Sequence, residues 1–275
     1  MKCRLQIVAV LVVLFTSFSA RLSAQTTAAE EMNLGVQAFR QSKFEKAIQH
    51  FEKCVALAPE NDVAHLYLAT AYAQQYIPGV DTEDNTRMAD RAIDQYQHVL
   101  DGNPVSSARN NSAKGIAYLY LQMKKFDNSK KYYRMAADLD PDDPENYYSM
   151  GVIDWTQTYA PRQEMRSRLG MKPDDSLPDK DKSACAEMRE KNAANIQEGI
   201  DNLKKALKLR PDYDDAMAYM NLMYRERADI QCDDPAAHEA DLKTADKWVD
   251  KTMGFKKAKA EETAPSSEPK ATNPH

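Results

Sequence analysis

The sequence predicts an all-α chain, an α-α superhelix of about five stacked helix pairs, and three observations carry that prediction. Four prolines, Pro59, Pro104, Pro141 and Pro211, close the same ladder of residues. Twelve residues before each stands a small or short side chain (Ala47, Ala92, Ser129, Gly199), eight before it a bulky one (Phe51, Tyr96, Tyr133, Leu203), and five before it a mid-sized or small one (Cys54, Val99, Ala136, Ala206). Steps of four and three put all of these on one helical face. Beyond the prolines the pattern resumes: Leu68, Met150 and Met220 follow by nine residues, Tyr72 and Tyr224 by thirteen. Composition agrees, because 8 glycines in 275 residues, 29% charge and the lack of alternating β-branched runs leave no segment that reads as a buried strand. One amphipathic pair buries too little apolar surface to stand alone, so the pairs must stack. Small rungs let helices approach closely and bulky rungs fill the neighbouring grooves. Ala56, Leu57, Ala137, Leu139, Leu207 and Leu209 read as core or flanking positions.

The amino terminus reads as an address. Lys2 and Arg4 precede the apolar run Ile7 to Phe15, and small residues lead to Leu22-Ser23-Ala24. This is the order of an export signal over residues 1–24, with a mature start near Gln25 or an earlier cut after Ser19. The run is too short for an ordinary membrane-spanning helix, so no stable span is expected after cleavage. Cys3 precedes the apolar run and therefore does not take the lipid of a bacterial lipoprotein. A periplasmic or secreted location is the expectation. Losing Lys2, Arg4 and Arg21 moves the net charge from −5 to about −8, which disfavours a nucleic-acid partner.

The first pair runs from Ala28 with Leu34-Gly35, Phe44 at its turn, then Ala47, Phe51 and Pro59. The third runs from Asn110 to Asp143 with Ile116, Ala117, Tyr120, Phe126, Ser129, Tyr133, Ala136 and Pro141. These positions resemble the tetratricopeptide repeat, in the form found in exported bacterial proteins. Its 34-residue unit has a Leu-Gly pair and a Tyr in the first helix, then Ala, Phe, Ala and a closing Pro in the second. The resemblance covers residues 28–255 as one elongated solenoid. Extra residues interrupt the second pair near 77–88 and the fourth near 156–192. A fifth pair begins at Asp214 and takes its second helix after Asp233-Asp234-Pro235.

The fourth insert is the least ordinary stretch. It reads as a long loop, from Thr156 through Arg162, Arg166, Arg168 and Gly170 to Asp181, followed by a long helix from about Ser183 to Leu209. Its arginines are expected to pair with nearby Asp and Glu rather than to await an acidic partner. Residues 256–275 read as a charged, disordered tail; Lys256, Lys257 and Lys259 suit a helix's last turn, and no apolar periodicity follows Thr263.

A search for chemistry returns no catalytic, metal or cofactor candidate. The five histidines are scattered, and neither a nucleophile elbow nor a glycine-rich phosphate loop is present. Asp81-Thr82-Glu83-Asp84-Asn85 opens like a calcium loop, but Thr86 stands where the turn needs Gly and Ala92 where the bidentate Glu belongs. Asn110-Asn111-Ser112 matches a glycosylation acceptor, a pattern common by chance.

What the resemblance implies is a binding surface. First helices of such repeats line a concave face that holds a peptide or protein, and the positions that carry over are Tyr67, Tyr118, Tyr148, Trp155 and Tyr219. Aromatic rings with polar tips suit a reversible contact, although some of these would equally pack beneath the inserts. The family's clamp for an acidic carboxyl terminus is not carried over, because Met32, Val36, Tyr67, Asn111 and Gly115 hold its positions without the needed positive charge. The repeat register sets Cys185 and Cys232 on the same edge of adjacent pairs, so a disulfide between them is expected, with Cys54 left as a buried thiol. The expected function is a non-catalytic protein-interaction module of the bacterial cell envelope. An assembly factor of an envelope complex and an unrecognised enzyme or small-ligand-binding protein are the alternatives.

Overall fold

The computed structural model describes residues 27–102, 106–172 and 175–263. Residues 1–24, where an export signal is expected, Pro104 and the chain beyond Thr263 lie outside them. Among the described residues there are eleven helices and no strand, the all-α repeat class that the ladder predicts. The chain divides between Pro141 and Asp142 into two compact units.

The first unit holds α1 (residues 27–40), α2 (Phe44–Leu57), α3 (Asp62–Ala73), α4 (Glu83–Asp101), α5 (Ser106–Gln122) and α6 (Phe126–Leu139). Each of α2 to α5 packs on the next helix in the chain, and α3 also reaches α5. The ladder supplies the reason. All nine of its rungs in this unit are buried, with Ala47, Phe51, Cys54, Ala92, Val99, Ser129 and Ala136 at 0% exposure. The polar rung Ser129 satisfies itself by donating to the Ala117 carbonyl at 2.7 Å. Gly35 lets α1 close onto α2, since a methyl group there would lie 2.4 Å from Cε1 of Phe51. Ala56 and Leu57 do not join this core. They sit exposed at the end of α2, beyond the face that carries Phe51 and Cys54.

α1 and α5 end in the same turn. The Lys43 amide reaches the Ala38 carbonyl at 3.0 Å and the Ser42 amide reaches Phe39 at 2.9 Å; Lys125 to Tyr120 (2.8 Å) and Lys124 to Leu121 (2.9 Å) repeat it. That closure needs a left-handed residue just past the helix, usually glycine. Here Ser42 (φ 56°) and Lys124 (φ 57°) take the position. Between α3 and α4 the insert is closed by one residue of the acidic stretch, Asn85. Its side chain donates to the Ile77 and Val80 carbonyls at 2.9 and 2.7 Å and accepts from the Ile77 amide at 2.7 Å. Thr82 caps α4 by accepting from the Asn85 amide.

The second unit holds α7 (Pro144–Arg168), α8 (Leu177–Lys180), α9 (Lys182–Leu209), α10 (Asp214–Ala228) and α11 (Pro235–Thr263). Asp143 caps α7 by accepting from the Glu145 amide at 3.0 Å, with Pro144 in the first turn, where its missing N–H costs nothing. The three rungs Gly199, Leu203 and Ala206 are buried, and Gly151 lets α7 press onto α9, with Leu203 2.6 Å from where a methyl would stand.

The fourth insert corrects the loop reading. α7 runs on to Arg168 and α9 starts at Lys182, so most of residues 156–192 is helix. The extension buries Met165, Leu177, Ala184, Cys185 and Met188 in the core of this unit, and polar contacts hold it as well. Arg162 donates to Asp229 Oδ2 at 2.6 Å, and Arg166 donates to the same oxygen at 3.1 Å and to the carbonyls of Lys172 and Asp175. Arg168 pairs with Glu187 on α9. A disulfide joins Cys185 on α9 to Cys232 after α10, with Cα atoms 5.6 Å apart, and Cys54 is a buried free thiol. α11 is helical to Thr263, so the first eight residues assigned to the tail, 256–263, are helix. No described helix is long and apolar enough to cross a membrane.

Candidate functional site

The five aromatic positions separate into two groups. In the first unit Tyr67 packs against Phe51 (ring centroids 5.4 Å apart) and edge-on to Phe39 (6.1 Å), so it serves the interior of α1 to α3. Tyr118, on α5, is 52% exposed. In the second unit the remaining three come together. Tyr148 meets Tyr219 edge-to-face at 5.7 Å, and Tyr219 meets Trp155 edge-to-face at 5.4 Å.

Two residues that the repeat register does not single out lengthen this row. Tyr213, in the turn before α10, lies 4.8 Å from Tyr148, and Tyr159, one turn along α7 from Trp155, lies 4.7 Å from it. The spacing of Trp155 and Tyr159 could have revealed the second. Nothing in a helical pattern could have revealed Tyr213. The row therefore runs Tyr213, Tyr148, Tyr219, Trp155, Tyr159, with its first member buried, its middle half-buried and its last 42% exposed. Edge-to-face pairs of this kind add about 0.5–1.5 kcal/mol each beyond area burial, so the rings are held stiffly.

The Tyr213 end is fixed by charge. Its hydroxyl donates to Glu145 Oε2 at 2.6 Å, Arg210 donates to Glu145 Oε1 at 2.8 Å, and the Arg210 guanidinium stands over the Tyr213 ring at 4.4 Å. Burial, then the Glu145 carboxylate, pushes the Tyr213 phenol far above its ordinary range. Burial also raises Tyr148, with Tyr219 and the carboxylates of Asp215, Glu145 and Asp214 adding to it. The hydroxyls of Tyr148 and Tyr219 make no hydrogen bond among the described residues, leaving two phenol donors free for a guest.

A second polar feature lies at the α7 extension. Arg162, Arg166, Arg225, Asp229 and His238 border a cavity of about 290 Å³. Beside it Glu226 is 2% exposed, with Arg162 3.6 Å away. Burial lifts the Glu226 carboxyl from the ordinary 4.5 to about 7, and Asp229 adds to the rise, while Arg162 and Arg166 oppose it. Between those two values the folded chain keeps a proton that the unfolded chain has released, so stability falls as pH rises through this window. Glu226→Gln should flatten that slope. The variant should match the parent at pH 4.5 and exceed it at pH 8 by on the order of 3 kcal/mol, read by urea denaturation across the range. Equal slopes in the two proteins would refute this assignment.

Among the described residues no group of three His, Cys, Asp or Glu side chains is placed to hold a metal ion. Two segments match family models of the tetratricopeptide repeat, residues 28–61 and 115–143. No curated protein matches the chain. Of solved structures, the chain is similar to a crystal structure of MamA protein, with 13% identity, 88% of this chain and 98% of that one covered, and a TM-score of 0.56. It is also similar to MamA, residue 41 to the end, from Desulfovibrio magneticus RS-1, with 14% identity, 84% and 96% covered, and a TM-score of 0.53. At such identities the likeness is one of fold.

Proposed function

We propose that this chain, a tetratricopeptide-repeat protein, is exported to the bacterial cell envelope and acts there as a non-catalytic module that captures a peptide or protein on the first helices of its repeats. The repeat fold supports a protein-interaction module in general. The aromatic row of the second unit carries the finer reading. Rings locked edge-to-face with free phenol hydroxyls offer large contact area at little entropic cost, the make-up of a binding hot spot. The order of charged, apolar and small residues in 1–24 supports export.

Crosslinking followed by mass spectrometry in the native envelope tests both halves. The chain recovered should start near Gln25, and crosslinks to its partner should cluster on α7 and α10. Tyr148→Ala or Trp155→Ala should reduce partner capture at least tenfold, equivalent to about 1.4 kcal/mol, whereas Tyr133→Ala on the ladder should destabilise without touching the surface. Unaltered capture by both surface variants would refute the row as the contact. A full-length chain kept in the cytoplasm would refute export.

A further inference from the structure

Building on that binding role, we propose that the aromatic row receives a basic segment of the partner protein, a lysine or arginine side chain lying against Tyr148, Tyr219 and Trp155 and answered by Asp214 and Asp215. Ring faces attract cations through their quadrupole. The chain already uses its own rings this way. Arg210 covers Tyr213 at 4.4 Å, Lys205 covers Tyr147 at 5.5 Å and Arg227 covers Tyr224 at 4.6 Å. Among the described residues Tyr148, Tyr219 and Trp155 carry no such cation.

Carboxylates gather near them. Glu145 is already shared by Arg210 and Tyr213, but Asp214, half-buried, and exposed Asp215 make no ion pair among the described residues. The carboxylates of Asp215, Glu145 and Asp214 all act on the Tyr148 phenol, and Asp215 acts on Tyr219 as well. A carboxylate-bearing guest would meet repulsion there, and an uncharged one would leave Asp215 unanswered. A basic segment gains from the rings and from both carboxylates at once. The chain's net charge of −5 steers the same class of partner toward it.

Trp155 provides the readout. The chain has two tryptophans, so Trp248→Phe leaves Trp155 as the sole indole, in contact with Tyr219 and Tyr159. Octalysine, octaglutamate and an uncharged Ser-Gln octapeptide are titrated into this full chain at low salt. Octalysine should change the Trp155 emission, with an apparent Kd raised about tenfold by Asp214→Asn/Asp215→Asn and unchanged by the control pair Asp81→Asn/Asp90→Asn in the first unit. A response equal for all three peptides, or larger for octaglutamate, would overturn the basic preference yet leave the row as a binding surface. Octalysine binding that ignores Asp214 and Asp215 would mark general charge attraction and overturn it likewise. Tighter octalysine binding by a chain ending at Thr263 would name the chain's own tail as the occupant. The binding role itself falls by a different result, native-partner capture that survives Tyr148→Ala and Trp155→Ala.

Discussion

Reducing the Cys185–Cys232 bridge should lower the stability of the second unit by about 4 kcal/mol, the chain-entropy value for a closed loop of this size. The two cysteines are 47 residues apart in sequence, so the bridge closes a loop holding most of α9 and all of α10. Both sulfurs are buried, Cys185 at 0% and Cys232 at 5% exposure, and two thiols occupy nearly the same space, so reduction leaves no large hole. The loss is therefore mainly the freedom regained by the unfolded chain. Urea unfolding with and without reductant measures it. A difference below about 1 kcal/mol would mean that the denatured second unit stays compact without its crosslink. Three residues before Cys232, Asp229 holds Arg162 and Arg166. Asp229→Ala should cost about 3 kcal/mol, because it removes the carboxylate shared by two largely buried guanidiniums and leaves Arg162 to Glu226 and Arg166 to the backbone carbonyls of Lys172 and Asp175. Its effect should not add simply to reduction of the bridge, since both changes loosen the same corner.

Phe51→Ala should cost the first unit about 3–5 kcal/mol, as for other fully buried aromatic rings. The informative experiment pairs it with Gly35→Ala. Alone, the new methyl meets a ring carbon at 2.4 Å, and the ring, at 0% exposure, has nowhere to retreat. Overpacking of about 1–3 kcal/mol should outweigh the gain of about 1 kcal/mol in helix propensity. In the Phe51→Ala background the same methyl enters vacated space. The double variant should then be less destabilised than the sum of the two by about 1–2 kcal/mol, a coupling that a double-mutant cycle in urea resolves. Strict additivity would mean that α1 shifts away from α2 to admit the methyl.

That pair shows why much of the fold was legible. The glycine of the Leu-Gly pair and the bulky rung are each other's complement, and burial repeating every three to four residues is a local signal that survives without any tertiary knowledge. All twelve rungs are buried accordingly. In the fourth insert the helix from about Ser183 was legible, but the run of α7 to Arg168 gave no such signal, for a physical reason. Along the extension of α7, Thr158 and Arg166 are buried where an apolar stripe would have been read, with Met165 between them, and Asn192 on α9 donates to the Thr158 carbonyl across the pair. Pro161 inside α7 further imitates a break. Candidate surface residues were legible only as far as the register reaches. Tyr148, Trp155 and Tyr219 assemble because they recur on facing first helices, whereas the ring of Tyr67 is drawn inward by the rung Phe51 and by Phe39, a neighbour that the ladder does not specify.

With Cys185 and Cys232 bonded to each other, Cys54 on α2 is left as a clock for the first unit. Its sulfur is at 0% exposure, and burial, reinforced by the Glu31 charge, pushes the thiol above its ordinary range. A thiolate-seeking reagent therefore has to wait for α2 to open before it finds either access or ionisation. The rate at which the oxidised chain acquires a label at Cys54 reports how often that unit breathes, and it is silent about openings elsewhere in the chain.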